Sequence, residues 1–219
     1  MNPYDHARSS ARLHGGRWSD YHALHAWFDL TKSTHCHFTH RALRHHHEGI
    51  AEAVAVFGSF VTNSDGSEVS TQALGRQHVE EDCQHVPAAA DWLADFDTPD
   101  WLQAPIADSA ELARLSALRL GGTPETYLAL HEWMLASRYW TDHPGHLMFR
   151  HQSFGIYETE NRFGAALGDK AYSVPTRVVA ELHVRSILGR LPAAADLLRR
   201  LKTQRWMLQA TSARRLGLA

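Results

Sequence analysis

The 219-residue sequence repeats itself, and this internal repeat constrains the fold more than any other feature. Its second half aligns with its first half over almost the whole length, with one deletion in a turn near Ser67. The matched pairs include Gly15 with Gly121, Leu24 with Leu130, His45 with His151, Gly58 with Gly164, His78 with His183 and Trp101 with Trp206. Self-similarity of this kind indicates repeated structural units. We therefore predict two homologous domains, residues 1–106 (repeat one) and residues 107–219 (repeat two).

The pattern within each repeat predicts helices. Gly15 is expected to end a first helix, because glycine readily takes the left-handed conformation that stops helices. Thr123-Pro124 has the composition of a helix start, with a capping residue before proline at the first helical position. The helices predicted for repeat one cover residues 4–14, 19–33, 37–57, 71–83 and 88–95.

A short β-hairpin is predicted after the third helix of each repeat. In repeat one, Phe60-Val61-Thr62 and Val69 flank the polar turn residues Asn63 to Gly66, a composition typical of a hairpin. The predicted fold is therefore mainly α, with about five helices and one hairpin per repeat. Two such repeats in one chain are expected to pack as a pseudo-twofold dimer.

Composition and charge exclude several classes of protein. No apolar run approaches the roughly 18 residues of a membrane span, and the first residues do not resemble a secretory signal, so we expect a cytoplasmic protein. The net charge of −2 gives no reason to expect binding to nucleic acid or to membranes. A small-molecule substrate is compatible with this composition. The assembly is expected to be an intramolecular pseudo-dimer, either as a monomer or as a homodimer.

The 17 histidines are the unusual part of the composition. Repeat two has histidine at five positions only, and all five match histidines of repeat one. The five pairs are His25 with His131, His37 with His143, His40 with His146, His45 with His151, and His78 with His183. One interpretation is that these imidazoles brace the helical core through buried hydrogen bonds. The other is that they bind a metal.

Carboxylates favour the metal interpretation in repeat one alone. His25 with Asp29, and His78 with Asp82, are four residues apart, which places each pair on one face of a helix. Metal sites in helical proteins use inward-facing histidines and carboxylates at such spacings. In repeat two, Leu135 and Ile187 replace the two aspartates, so a competent site is expected in repeat one only. The predicted metal ligands are His25, Asp29, His40, His45, His78 and Asp82.

Three separated segments of repeat one resemble a known family. They are Leu24 to Lys32 (LHAWFDLTK), His40 to Ile50 (HRALRHHHEGI) and Gln77 to Asp82 (QHVEED). In this order they are similar to an uncharacterised family of short bacterial and phage proteins, which is catalogued as a domain of unknown function. The resemblance covers nearly all of repeat one and extends more weakly over repeat two. It implies that each repeat is one unit of this family, here duplicated in tandem, and it implies no activity.

The predicted ligand set suggests a metal-dependent enzyme. Nitrogen and oxygen ligands suit several divalent transition metals, among which zinc and iron are preferred here. Such an ion would activate water for hydrolysis of a small phosphorylated or carboxylated substrate. In this hypothesis Asp29 and Glu81 are catalytic, while Arg41 and Arg44 bind the anionic group of the substrate. The alternative is a non-catalytic helical protein, with a histidine-braced core or a structural metal, that acts by binding a partner.

Overall fold

The computed structural model describes residues 1–102 and 108–218 and confirms a mainly α chain. Within these residues each repeat contains five α-helices, several short 3-10 helices and one two-stranded hairpin. The chain divides into two compact units. The first unit contains Met1–Ala94 and the C-terminal segment that begins at Lys202, and the second contains Asp95–Leu201. The end of each repeat therefore belongs to the compact unit formed by the other repeat.

The helices of repeat one begin and end where capping chemistry directs them. The side chain of Asn2 accepts a hydrogen bond from the backbone of Asp5 at the start of the first helix, and Gly15, with φ 77°, ends it. The second helix is continued by a 3-10 turn, Leu30–Ser33, so the helical prediction to residue 33 is confirmed in its extent. The α-helices are α1 Pro3–His14, α2 Trp18–Asp29, α3 His47–Phe57, α4 Thr71–Cys83 and α5 Ala89–Leu93.

Repeat two has the same order of elements. Pro124 occupies the first position of its second helix, as the sequence predicts. Gly121 and Gly164, with φ 86° and 85°, follow the ends of two helices. The α-helices are α6 Ser109–Leu120, α7 Pro124–Leu135, α8 Ser153–Phe163, α9 Thr176–Leu188 and α10 Ala194–Leu198.

The predicted hairpin is present in both repeats. In repeat one, β1 (Phe60–Thr62) pairs antiparallel with β2 (Glu68–Ser70), and Val61 lies opposite Val69. In repeat two, β3 (Ala166–Gly168) pairs in the same way with β4 (Ser173–Pro175). The hairpin connects α3 to α4 in repeat one and α8 to α9 in repeat two.

The predicted helix over residues 37–57 is wrong in its first half. Phe38–Leu43 form a 3-10 helix, and the α-helix begins only at His47. A Cβ atom on Gly49 would lie 2.0 Å from the carbonyl oxygen of Arg44, so glycine alone allows the chain to fold back this closely. The chain turns within this run of histidines, between the 3-10 helix and α3.

Two histidines of this run are helix caps. The His37 imidazole accepts a hydrogen bond from the backbone of Thr39 and begins the 3-10 helix. The His46 imidazole accepts from the backbone of Gly49 at 3.0 Å and begins α3. In repeat two, Gln152 takes the place of His46 and caps α8 in the same way. Both histidines therefore cap a helix, because each imidazole accepts a hydrogen bond from a backbone N–H group of the first turn.

The C-terminal segment packs into the core of the first unit. Trp206 contacts Trp92 edge to face, with 4.6 Å between ring centroids, and Met207 is fully buried. The carbonyl oxygen of Met207 accepts a hydrogen bond from Arg41 at 3.3 Å. The second unit contains the matching segment of repeat one, where the guanidinium of Arg190 lies 5.0 Å from the ring centre of Trp101.

None of the helices within residues 1–102 and 108–218 combines the length and the apolar character that crossing a bilayer requires.

Candidate metal centre

Three imidazoles form a chain in the core of repeat one. His25 on α2 and His78 on α4 face each other, with their Nδ1 atoms 3.0 Å apart. The other ring nitrogen of His78, Nε2, lies 3.1 Å from Nε2 of His45, which follows the 3-10 helix. All three side chains are fully buried. The chain therefore connects three segments of the repeat through its interior.

The same chain exists in repeat two. The Nδ1 atoms of His131 and His183 are 2.8 Å apart, and Nε2 of His183 lies 3.0 Å from Nε2 of His151. In both repeats a serine of the first helix completes the chain, since Ser10 lies 2.8 Å from His25 and Ser116 lies 2.9 Å from His131. A hydrogen-bonded brace shared by both repeats explains why three of the histidine pairs are retained.

The predicted ligand His40 has a different neighbour. Its Nδ1 lies 2.8 Å from the hydroxyl of Thr31, and its ring meets that of His45 edge to face at 5.7 Å between centroids. The matching His146 of repeat two lies 3.4 Å from Ser137 in the same arrangement. His40 therefore braces the 3-10 segments beside the imidazole chain.

Repeat one adds two aspartates at the His45 end of the chain. Asp29 Oδ1 lies 4.0 Å from His78 Nε2, and Asp82 Oδ2 lies 3.4 Å from His45 Nε2. One nitrogen or oxygen atom from each of the four side chains lies within 4.8 Å of all the others. Ligands about 2.0 to 2.1 Å from a tetrahedral zinc ion are about 3.3 Å apart. The four groups are therefore spaced so that small movements would place them around one ion.

Cations surround these carboxylates. Lys32 Nζ lies 2.7 Å from Asp29 Oδ1, and Arg41 Nε lies 3.1 Å from Asp82 Oδ2. The amino-terminal ammonium group contacts the other oxygen of Asp82 at 2.9 Å. These cations compensate the buried negative charge. Within the described part of the chain, Asp29 Oδ2 and His45 Nδ1 have no hydrogen-bond partner.

The environment favours the protonation states that metal ligands need. Burial lowers the pKa of His45. Burial also lowers the pKa of His78, and the neighbouring His6 and His45 lower it further. Burial alone would raise the pKa of Asp82, but hydrogen bonds from His45 and His6 outweigh it and hold that pKa below its ordinary value. The site therefore offers a neutral His78 and an ionised carboxylate, the forms that bind metals. His45 donates to Asp82 from Nε2, so that proton would have to move to Nδ1 before His45 Nε2 could bind a metal.

A second group of potential ligands, His6, His25 and His78, adjoins the first. His6 Nδ1 lies 2.6 Å from Glu81 Oε2, and its Nε2 lies 3.4 Å from Asp82 Oδ1. Burial lowers the pKa of His6, yet its hydrogen bonds with Asp82 and Glu81 raise it above the ordinary value overall. A protonated His6 between two carboxylates has no lone pair to give, so this second group is a poorer metal site.

Two further predicted site residues, Glu81 and Arg41, adjoin this cluster. Glu81, predicted to be catalytic, accepts a hydrogen bond from Ser9 at 2.6 Å and contacts His6. Arg41 Nη1 donates to the carbonyl oxygen of Asp82 at 2.9 Å. Glu81 and Arg41 thus adjoin the candidate ligands on the α4 side.

Arg44 packs against Trp27. Its guanidinium stacks on the ring of Trp27, 3.8 Å from the ring centre, and Nη1 donates to the Trp27 carbonyl oxygen. In repeat two, Arg150 makes the same contacts with Trp133. An arrangement kept in both repeats is typical of a packing role, and the substrate role of Arg41 and Arg44 stays a prediction.

The structure brings Asp29, His45, His78 and Asp82 together, and it places His25 behind His78. The sequence patterns did not predict His6, which contacts Asp82, or Ser10, which ends the imidazole chain. Ser10 could have been found, because the alignment of the repeats places a serine, Ser116, at the same position of repeat two.

Comparison with known proteins identifies both repeats. A model of the family described as Domain of unknown function (DUF6915) matches residues 1–102 and, a second time, residues 107–207. No curated protein and no solved structure matches the chain. The predicted tandem duplication of an uncharacterised domain is therefore confirmed.

Proposed function

The chain belongs to this family of domains of unknown function, and from its geometry we propose that repeat one binds a divalent transition metal. The proposed ligands are Asp29 Oδ1, His45 Nε2, His78 Nε2 and Asp82 Oδ2. Within residues 1–102 and 108–218, both groups of at least three closely spaced ligand residues lie in repeat one. The observation that carries the proposal is the meeting of these four buried side chains from separate segments.

Repeat two supports the proposal by contrast. It keeps the imidazole chain but has Leu135 and Ile187, both buried, at the two aspartate positions. A brace of histidines therefore needs no carboxylate. The two buried carboxylates of repeat one come with the cations Lys32 and Arg41, which offset their charge. Repeat two, which has the same imidazole chain without the carboxylates, indicates that the fold does not require this charged group.

The ligand set favours zinc or iron. Two imidazoles and two carboxylates form a mixed nitrogen and oxygen site without thiolates, which suits both metals. When bound, a zinc ion would act as a Lewis acid and polarise water or a carbonyl group. Asp29 and Asp82 would give the site two negative charges to balance the ion.

The burial of the site favours a metal that stabilises the fold. The exposed fractions of Asp29, His45, His78 and Asp82 are 4%, 0%, 0% and 0%. Closed sites of this kind contribute folding free energy, while catalytic sites keep a position open to substrate. Hydrolysis of a phosphorylated or carboxylated substrate is the second candidate, because the guanidinium of Arg41 lies beside Asp82 and is a suitable anion partner. For this activity, the residues that bury the site would have to move so that a substrate could reach the metal.

Metal analysis of the full-length protein tests the proposal. Chain stripped of metal, exposed to Zn²⁺ or Fe²⁺ and desalted should retain about one equivalent. At a free metal concentration of 100 times Kd, metal binding should raise the free energy of unfolding by about 2.7 kcal/mol. Asp29→Asn and Asp82→Asn keep the side-chain shape and should lose both effects.

His183→Ala in repeat two is the matched control, since it breaks the same chain where no carboxylate is present. It should retain the metal. Metal content equal in the wild type and in Asp82→Asn would overturn the proposal. Turnover of p-nitrophenyl phosphate or p-nitrophenyl acetate by the metal-loaded wild type, absent in Asp29→Asn, would assign the hydrolytic role.

A further inference from the structure

A line of hydrogen bonds behind the proposed site has a fixed direction. It begins at Glu81, whose carboxylate can only accept. Gln77 Nε2 donates to Glu81 Oε1 at 2.8 Å, which fixes the orientation of the Gln77 amide. The amide oxygen of Gln77 must then face the other way, where it meets the hydroxyl of Ser10 at 2.9 Å.

The direction passes through Ser10 to the first imidazole. Since the amide oxygen of Gln77 only accepts, the single hydroxyl proton of Ser10 is donated to it. The oxygen of Ser10 is left as an acceptor, and His25 Nε2 lies 2.8 Å from it. His25 therefore carries its proton on Nε2, and its Nδ1 is a lone pair.

The same reasoning extends to His78. Its Nδ1 lies 3.0 Å from the Nδ1 lone pair of His25, so His78 must donate from Nδ1. Both rings are fully buried, and a second proton on either one would place a positive charge in the protein interior at a high cost in free energy, so both are neutral. A neutral imidazole has one proton, so Nε2 of His78 is a lone pair directed toward His45 and Asp29.

We infer that Gln77, Ser10 and His25 are positioning residues, which hold His78 as its Nδ1–H tautomer so that its Nε2 lone pair is ready for a metal. The role in metal binding rests on the proposed function, while the direction of the hydrogen bonds follows from the geometry and burial of these side chains. In known sites, partners behind a ligating histidine fix its tautomer and ring orientation, and their loss weakens metal binding by about 10-fold to 100-fold.

Repeat two lacks the two side chains, Glu81 and Gln77, that set the direction of the hydrogen bonds in repeat one. Leu182 replaces Gln77, and Ser186 replaces Glu81. Ser116, His131, His183 and His151 keep the chain with distances of 2.9, 2.8 and 3.0 Å. The amide and the carboxylate that set the direction in repeat one are replaced at these two positions, so the orienting residues occur in the repeat that has the aspartates.

Nitrogen NMR on the metal-free full-length chain tests the inference directly. Long-range proton–nitrogen spectra of ¹⁵N-histidine-labelled protein distinguish a protonated ring nitrogen from a lone pair. The expected pattern is His25 protonated at Nε2 and His78 protonated at Nδ1. His78 protonated at Nε2 would overturn the inference.

Variants test the consequence for binding. Gln77→Leu introduces the residue of repeat two, and Ser10→Ala removes the intermediate hydroxyl. Each should weaken Zn²⁺ binding, measured by chelator competition, by about 10-fold to 100-fold. Ser116→Ala removes the matching hydroxyl of repeat two and should leave Zn²⁺ affinity unchanged. Unchanged affinity in folded Gln77→Leu and Ser10→Ala would contradict the inference.

The two proposals fail in different ways. If the wild type binds no Zn²⁺, the proposed function is wrong, and the wild-type spectrum still tests the hydrogen-bond direction. If Zn²⁺ binds at the four ligands while His78 is protonated at Nε2 without metal, the function stands and the positioning role is wrong. The spectrum requires no substitution, so a variant that fails to fold does not decide the outcome.

Discussion

The two repeats contain the same three-imidazole chain in different surroundings. In repeat one the chain ends among Asp29 and Asp82, with Lys32 and Arg41 beside them. In repeat two, Leu135 and Ile187 stand at the aspartate positions, and the chain geometry changes by only tenths of an ångström. The chain is therefore a feature of the fold, and the carboxylates are an addition that the fold does not need. This difference separates what braces the domain from what is proposed to bind the metal.

Acidification should produce the largest effect, and repeat two is where it is simplest to interpret. Burial lowers the pKa of His131 to about 4. Burial, together with the neighbouring His146 and Arg150, lowers the pKa of His151 to about 3. Burial also lowers the pKa of His183. The unfolded chain then binds more protons below about pH 6.5, so stability is complete above that pH and falls as the pH drops. Each histidine contributes about 1.4 kcal/mol per pH unit.

Hydrogen exchange of α7 and α9 between pH 7.5 and pH 5 measures this dependence. His151→Gln removes one titrating group and should reduce the slope by about 1.4 kcal/mol per pH unit. Protection of these helices that does not change with pH would show that the imidazoles of repeat two are not buried as neutral groups.

A carboxylate placed in repeat two should be costly. Ile187→Asp sets a charge beside His151 and His183 at a buried position where Leu147, not arginine, matches Arg41. The expected loss is about 3 to 5 kcal/mol of unfolding free energy, because the new charge is buried without a partner. Urea unfolding measures it, with Ile187→Leu as the size-matched control.

Adding Zn²⁺ to an aspartate variant of repeat two tests whether the carboxylates create a metal site. With Leu135→Asp in the same chain, repeat two would offer the four ligand types of repeat one, and Zn²⁺ should recover part of the lost stability. Destabilisation below about 1 kcal/mol in Ile187→Asp would mean that the fold tolerates carboxylates here without a partner.

Each serine should matter to the stability of its own repeat. Ser10→Ala and Ser116→Ala each leave one imidazole nitrogen without its partner, at a cost of about 1 to 3 kcal/mol. Urea unfolding monitored by hydrogen exchange in α2 and α7 separates the two repeats. A loss confined to one repeat would contradict a shared brace.

The stacked arginines should give the smallest effect. Arg44→Lys and Arg150→Lys lose the planar contact with Trp27 and Trp133, which is worth about 0.5 to 1 kcal/mol. Equal losses, with Zn²⁺ affinity unchanged in Arg44→Lys, would agree with a packing role. If metal-dependent turnover is found, a rise in KM for Arg44→Lys alone would restore the predicted role in substrate binding.

Much of the fold was predictable because its signals are local. Glycines after helices, proline at a helix start and the polar turn of the hairpin act over a few residues, and repetition gave each signal twice. The helix over 37–57 was wrong because capping by His37 and His46 and the close approach at Gly49 depend on neighbours in space. A histidine in the interior of a helix and one that caps it look alike in sequence.

The candidate site was predictable in part for the same reason. Pairs four residues apart on one helix, His78 with Asp82 above all, follow from helical geometry. The order of His25, His78 and His45 in a chain depends on packing between segments, which spacing does not determine. The contact of His6 with Asp82, and the direction set by Gln77, could be read only from distances.

Anomalous diffraction at the zinc edge, from crystals of the full-length chain grown with Zn²⁺, would locate the bound metal. We expect one peak in repeat one, within bonding distance of His45 Nε2, His78 Nε2 and both aspartates. We expect no peak between His151 and His183, where the imidazoles have no aspartate beside them. Peaks of equal height in both repeats, or none beside Asp29 and Asp82, would contradict the proposed metal site.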